Sequence, residues 1–125
     1  MSLDVSLSRT LYLSYDKGAT YTEQQEEVYW ANITHNLRTM ADNVNVQHQT
    51  LYDYLWRPEE LNVTIASELI NPLTIGLAKL KDNPDFYKTF DSPNGWGLYE
   101  HFVPFVQEYL NACILNPEAT VHASR

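Results

Sequence analysis

Leu3-Asp4-Val5-Ser6-Leu7-Ser8-Arg9-Thr10-Leu11-Tyr12-Leu13 is the stretch that decides the fold class. Leu3, Val5, Leu7, Leu11 and Leu13 share one parity, interrupted only by Arg9, while Asp4, Ser6, Ser8, Thr10 and Tyr12 take the other. Alternate side chains of a strand point to opposite faces, so a period of two predicts a half-buried strand. Asp16-Lys17-Gly18-Ala19 carries turn chemistry, and Tyr21 to Trp30 returns as the second strand of a hairpin. Glu23-Gln24-Gln25-Glu26-Glu27 is a poor strand former, so the hairpin is expected to bulge or open there. Val28 to Trp30 is its firm part.

The period changes at Asn32. Ile33, Leu37, Met40, Ala41 and Val44 lie on one face of a helix, with Asn32 or Thr34 as its N-cap. The polar run Asn43 to Gln49 reads as a helix end or loop, and Leu51 to Trp56 as a short helix stopped by Pro58. Thr64 caps a segment carrying Ile65, Leu69 and Ile70. Asn71-Pro72 then reads as a fresh helix start, continuing through Leu73, Leu77 and Leu80. Asn83-Pro84 opens a short turn bearing Phe86, Tyr87 and Phe90. After the Asp91 to Gly97 loop, Tyr99, Phe102, Val103, Val106, Tyr109, Leu110 and Cys113 form the clearest apolar stripe of the chain. Pro104 kinks that helix or marks its first turn, and Asn116-Pro117 ends it. Thr120 to Ser124 alternates and is expected to close as a last strand against the hairpin. The expected architecture is therefore α+β: one domain over residues 1–125, with a small antiparallel sheet packed by four or five helices.

Composition narrows the function classes. Sixteen Asp and Glu against eight Lys and Arg give a net charge of −8, and no basic cluster is present to neutralise phosphates, so nucleic acid is not an expected partner. The acids are scattered, which also disfavours nucleic-acid mimicry. No span approaches the ~20 apolar residues of a membrane helix, so no membrane association is expected. Cys113 is alone and the polar-interrupted start is unlike a signal peptide, so the expected compartment is the cytoplasm. The sequons Asn32-Ile33-Thr34 and Asn62-Val63-Thr64 then read as helix-start residues. Nine Tyr, three Trp and four Phe suit both a packed core and a binding surface.

Two segments concentrate polar and aromatic residues beyond what capping needs: Asn32-Ile33-Thr34-His35-Asn36-Leu37 and Asn94-Gly95-Trp96-Gly97-Leu98-Tyr99-Glu100. Both fall where helices are expected to begin, and unpaired N–H groups at helix starts suit ligand capture. His35, opposite Leu37 on the wheel, is expected to face a rim or solvent, to stay neutral, and to be the one candidate catalytic base. Asn32 and Asn36 would orient it or bind substrate. Asn94, Trp96, Tyr99 and Glu100 complete the second candidate cluster, and Trp56 is a candidate wall. The competing structural reading has Asn32 capping, Asn36 supporting the hairpin, His35 bonding a backbone carbonyl, Trp96 plugging the core and Trp56 buried. The four His are not at metal-ligand spacing, so neither a metal nor a cofactor is expected. Cys113 on an apolar face is core.

Met1-Ser2-Leu3-Asp4, Asn32 to Leu37, Leu55-Trp56-Arg57-Pro58-Glu59, Asn94 to Gly97 with Tyr99-Glu100, and the ending from Tyr109 to Arg125 together resemble a family of small uncharacterised proteins of bacteria, phages and prophages. The resemblance spans nearly the whole chain. A longer second-strand region around Glu23 and the inserted-looking Asn43 to Thr50 depart from it. It implies a phage-linked intracellular setting and supplies no activity, cofactor or catalytic residue. Three functions stay open. The first is a non-enzymatic binding or interaction protein that modulates a host system, with a protein or small polar ligand as partner. The second is a small hydrolase or transferase of a polar small molecule using His35 as base. The third is a subunit of a homo-oligomer such as a homodimer, since open sheet edges and surplus aromatics invite self-association.

Overall fold

Strand β1, Ser2–Leu13, runs through the centre of a three-stranded antiparallel sheet, in the computed structural model that describes residues 1–125. Its alternation works as expected in the first half, where Leu3, Val5 and Leu7 are fully buried. β2, Thr22–Thr34, pairs along one edge, and β5, Thr120–Ser124, pairs with Asp4 to Ser8 along the other. Beyond Ser8 the hairpin continues as an exposed two-stranded ribbon. The ladder slips between Leu7 and Ser8, because Leu7 faces Tyr29 while Ser8 faces Glu27, which leaves Val28 as the extra residue of a bulge.

β2 stays paired through its poor strand formers and runs past the expected end at Trp30. The acidic and glutamine-rich run is held extended by cross-strand bonds, Arg9 Nε to Glu26 at 2.6 Å and Gln25 Nε2 to Thr10 Oγ1 at 2.8 Å. Such cross-strand pairs, here one on each face of the ribbon, supply what intrinsic propensity lacks. The turn between the strands is built by Asp16, whose carboxylate accepts from Thr20 N–H, Thr20 Oγ1 and Ser14 Oγ. Those bonds, led by Thr20, hold its pKa below the usual carboxylate value.

At its far end β2 runs through Asn32 and Ile33 instead of yielding to a helix. Asn32 is no cap. Its Nδ2 donates to Ser2 Oγ and Asp4 Oδ1, both at 2.7 Å, across the ladder that pairs it with Asp4. Thr34 is the cap: its Oγ1 accepts the N–H of Asn36 at 3.2 Å and turns the chain into a 3₁₀ turn, His35–Leu37. Only five residues of α-helix follow, α1, Arg38–Asp42. The expected apolar set is nonetheless buried, with Leu37, Met40, Ala41 and Val44 all at 0% exposure.

The Asn43 to Gln49 region contains a second tiny hairpin, β3 Asn45–Val46 with β4 Gln49–Thr50. Thr50 and Asp53 then cap each other's backbone N–H groups to start α2, Leu51–Trp56. The long helix α3, Ser67–Asp82, runs straight through Asn71-Pro72, so that pair is not a new start. The start signal lies upstream, where the Glu68 carboxylate accepts from Thr64 N–H at 3.0 Å and Ile65 N–H at 3.1 Å. α4, Pro84–Lys88, is the short turn expected after Asn83. α5, Tyr99–Leu115, packs along α3 and against β2, burying Phe102, Val106, Tyr109 and Cys113. Leu3, Val5 and Leu7 of the sheet join the same apolar cluster as Leu69, Leu73 and Leu80 of α3. No helix is long and apolar enough to cross a membrane.

Candidate functional site

The Thr34 cap aims two consecutive side chains in different directions. His35 is half-buried and lines the rim of a hollow, so of its two expected settings, rim or solvent, it takes the rim. Its Nδ1 accepts the indole N–H of Trp56 at 2.9 Å. An indole nitrogen can only donate, so Nδ1 carries no proton and the neutral ring keeps its proton on Nε2. Burial, with the neighbouring Arg38 charge adding to it, lowers the His35 pKa below its usual 6.5. The ring is therefore neutral at pH 7 and offers one outward-acting group, the Nε2–H donor. The lone pair that a general base requires is occupied.

Asn36 points the other way and joins the two polar segments. Its Nδ2 donates to the carbonyl oxygen of Trp96 at 2.6 Å, sixty residues along the chain. The loop it grips is internally braced: Asn94 Oδ1 accepts from Trp96 N–H at 2.9 Å and Ser92 Oγ at 2.6 Å, and Gly97 O accepts from Ser92 N–H at 3.0 Å. Gly97 adopts φ +127°, and a Cβ there would meet the Asn36 Cβ at 2.8 Å. Glycine is needed at that position both for its backbone angle and for the close approach.

With its backbone thus fixed, Trp96 does not plug the core. Its ring is 72% exposed and stands between two hollows. The first, about 540 Å³, is lined by Met1, Ser2, Asn32, Thr34, His35, Asn36, Arg38, Asn94 and Trp96. The second, about 480 Å³, lies between the outer edge of β2 at Ala31 to Thr34 and the α5 residues His101, Pro104, Phe105 and Glu108. Both volumes lie in the range of small-molecule sites, about 300–1,000 Å³.

Of the expected site residues, Asn32, His35, Asn36, Asn94 and Trp96 therefore converge on the first hollow. Trp56 does not line it. It is buried behind His35, stacked on Tyr52 with ring centroids 5.4 Å apart, and acts only through the indole N–H. Tyr99 and Glu100 line neither hollow. The Tyr99 hydroxyl donates to Leu80 O at 2.7 Å and its N–H to Asp91 Oδ1 at 2.6 Å, which ties α5 to α3 and caps its first turn. Glu100 is exposed, 3.9 Å from His101.

Arg38 is the residue that sequence reasoning passed over. Its Nε donates to His35 O at 3.1 Å, which leaves the two terminal nitrogens of the guanidinium free. Cys113 belongs to the core, and burial pushes its thiol up to about 12, far from a thiolate at neutral pH. No group of three His, Cys, Asp or Glu converges anywhere in the fold in a way that would hold a metal ion. Comparison with known proteins finds no matching family model, curated protein or solved structure.

Proposed function

We propose that this chain is a non-catalytic binding protein that captures a small polar ligand in the 540 Å³ hollow beside Trp96, in the phage-linked setting that its motifs suggest. The observation that carries the reading is the Trp56–His35 hydrogen bond. It uses the lone pair a base would need and leaves His35 as a fixed donor, an arrangement suited to holding a ligand and poorly suited to deprotonating one. The exposed Trp96 plane and the amide atoms that carry no internal bond, Asn32 Oδ1, Asn36 Oδ1 and Asn94 Nδ2, fit the same role, since a few convergent polar groups beside an apolar wall orient a ligand.

A thermal-shift screen of small polar compounds, run in parallel on wild type and Trp96→Ala, tests this. A compound that raises the wild-type melting temperature, fails to do so in Trp96→Ala, and is recovered chemically unchanged supports the reading. A compound converted to product with His35-dependent kinetics would replace it with the hydrolase or transferase alternative. A screen in which no compound distinguishes the two proteins removes the site.

A protein partner or a second copy is the other reading, and one observation favours it. The outer edge of β2 is unpaired, and Tyr12, Tyr15 and Tyr21 are 63%, 87% and 64% exposed around the hairpin tip. Exposed edges and aromatics invite pairing with another chain. Light scattering coupled to size exclusion, repeated with Tyr12→Ser/Tyr21→Ser, distinguishes a homodimer held there from a monomer.

A further inference from the structure

The chain has four arginines, and three of them face carboxylates. Arg9 meets Glu26 at 2.6 Å, Arg57 meets Glu60 at 2.7 Å, and Arg125 is bonded to Glu59 with Glu60 at 4.0 Å. Arg38 has no carboxylate partner within ion-pair distance, although acids outnumber basic residues two to one. Asp42 lies one helical turn further on, where its Oδ1 accepts from Thr50 Oγ1. Arg38 also lines a smaller hollow of about 300 Å³ together with Asp42, whereas the 540 Å³ hollow has no Asp or Glu among its nine lining residues. In a protein of net charge −8, this is a local positive concavity with one guanidinium held from behind by His35 O.

A guanidinium fixed through Nε presents its terminal nitrogens as a fork, and His35, which lines the same hollow, keeps its Nε2–H as a further donor. Paired donors of that kind match the oxygens of a carboxylate or phosphate. The Trp96 ring supplies a flat apolar face at the rim of the same hollow, on which a planar ring stacks without a sequence-like hydrogen-bond code. We propose that the hollow selects a small anion carried on a flat ring, with its carboxylate or phosphate on Arg38 and His35 and the ring against Trp96. This deepens the small-ligand reading above and rests on it.

Isothermal titration with four probes tests the class: adenosine monophosphate, benzoate, adenosine and inorganic phosphate. The two ring-bearing anions should bind, whereas adenosine lacks the charge and phosphate lacks the ring, so each should bind at least about tenfold more weakly than adenosine monophosphate. The ratio of adenosine monophosphate to benzoate distinguishes a phosphate ligand from a carboxylate ligand. Arg38→Gln should weaken the anions by about tenfold or more and remove the salt dependence of binding, and Arg38→Lys should fall between, because it keeps charge without the fork. Trp96→Ala should bring adenosine monophosphate down to the level of phosphate. Both positions are exposed, so melting temperatures of the variants check that folding is intact.

Adenosine binding as tightly as adenosine monophosphate, or Arg38→Gln leaving the anions unaffected, would overturn the anion assignment. If neutral polar compounds instead bind in a Trp96-dependent way while the anions do not, the class is wrong and the binding reading stands. If no probe, charged or neutral, responds to Trp96→Ala, both fail.

Discussion

Trp56 donates its indole N–H to His35 Nδ1 across 2.9 Å, linking the last residue of α2 to the first residue after β2. That one bond buries an indole without leaving its N–H unsatisfied and sets the His35 tautomer. Arg125 donates to the Trp56 carbonyl at 3.0 Å and pairs with Glu59, so the end of β5 braces the same residue from behind. The chemistry of the hollow is therefore set by groups that do not line it.

Stability should fall on mild acidification because of this bond. The folded-state pKa of His35 lies below 6.5, so the unfolded chain takes up the proton first as pH drops. The His35 contribution is complete above pH 6.5 and is lost as pH falls through the folded value, when a proton on Nδ1 displaces the Trp56 donor. Melting curves between pH 7.5 and about pH 5 should show this loss, reduced in His35→Gln, whose amide oxygen can still accept from the indole. Carboxylate effects from Glu68, held below its usual 4.5 by the Thr64 and Ile65 N–H groups, should enter only at lower pH. A variant with the same pH profile as wild type would show that the bond does not form.

Gly97→Ala should separate the two halves of the hollow. The residue combines φ +127° with a Cβ position 2.8 Å from Asn36 Cβ, so the substitution adds both backbone strain and a clash. A loss of about 1–3 kcal/mol in denaturant unfolding is expected. Wild-type stability would mean that the loop moves freely away from Asn36.

Tyr29→Phe should stabilise the protein. The Tyr29 ring stacks on Tyr109 with centroids 5.8 Å apart, yet its hydroxyl is buried with no partner. Burial raises its pKa, with Glu108 and Cys113 adding to the effect, so the phenol stays neutral and unsatisfied. Removing the oxygen keeps the stacking and should gain about 1 kcal/mol, or ~4 °C in melting temperature. A decrease would reveal a hydrogen bond to the hydroxyl.

Val106→Asp should prevent folding. Val106 is at 0% exposure among Phe102, Tyr109 and Cys113 of the α5 stripe, with no cation at hand to pair a carboxylate. The cost should exceed about 4 kcal/mol, a large share of the 5–15 kcal/mol typical of a domain. Soluble protein that melts cooperatively would contradict the packing of α5.

Much of the framework was legible because periodicity reports burial directly. Leu3, Val5 and Leu7 specify one face of β1, Phe102 to Cys113 specify the buried stripe of α5, and the alternation of Thr120 to Ser124 specifies a strand. Capping residues were less decisive. Asn71-Pro72 has the form of a helix start yet lies within α3, because Glu68 had already begun that helix three to four residues from its capped N–H groups. Asn32 has the form of a cap yet lies within β2, because pairing with Asp4 satisfies its amide across the sheet.

What the sequence by itself determined was the class of the fold and the clustering of polar and aromatic residues in two segments. What only the tertiary structure decided was how those residues act. His35 and Trp56 are 21 positions apart and Asn36 and Trp96 are 60 apart, so their bonds depend on sheet register and helix placement and leave no local pattern. The same distances decide which nitrogen of His35 is free, why Trp96 stays in solvent, and why Arg38 alone among the arginines lacks an acid. Local propensity acts over one or two turns of chain, whereas a hydrogen-bond partner is chosen by the packing of the whole domain.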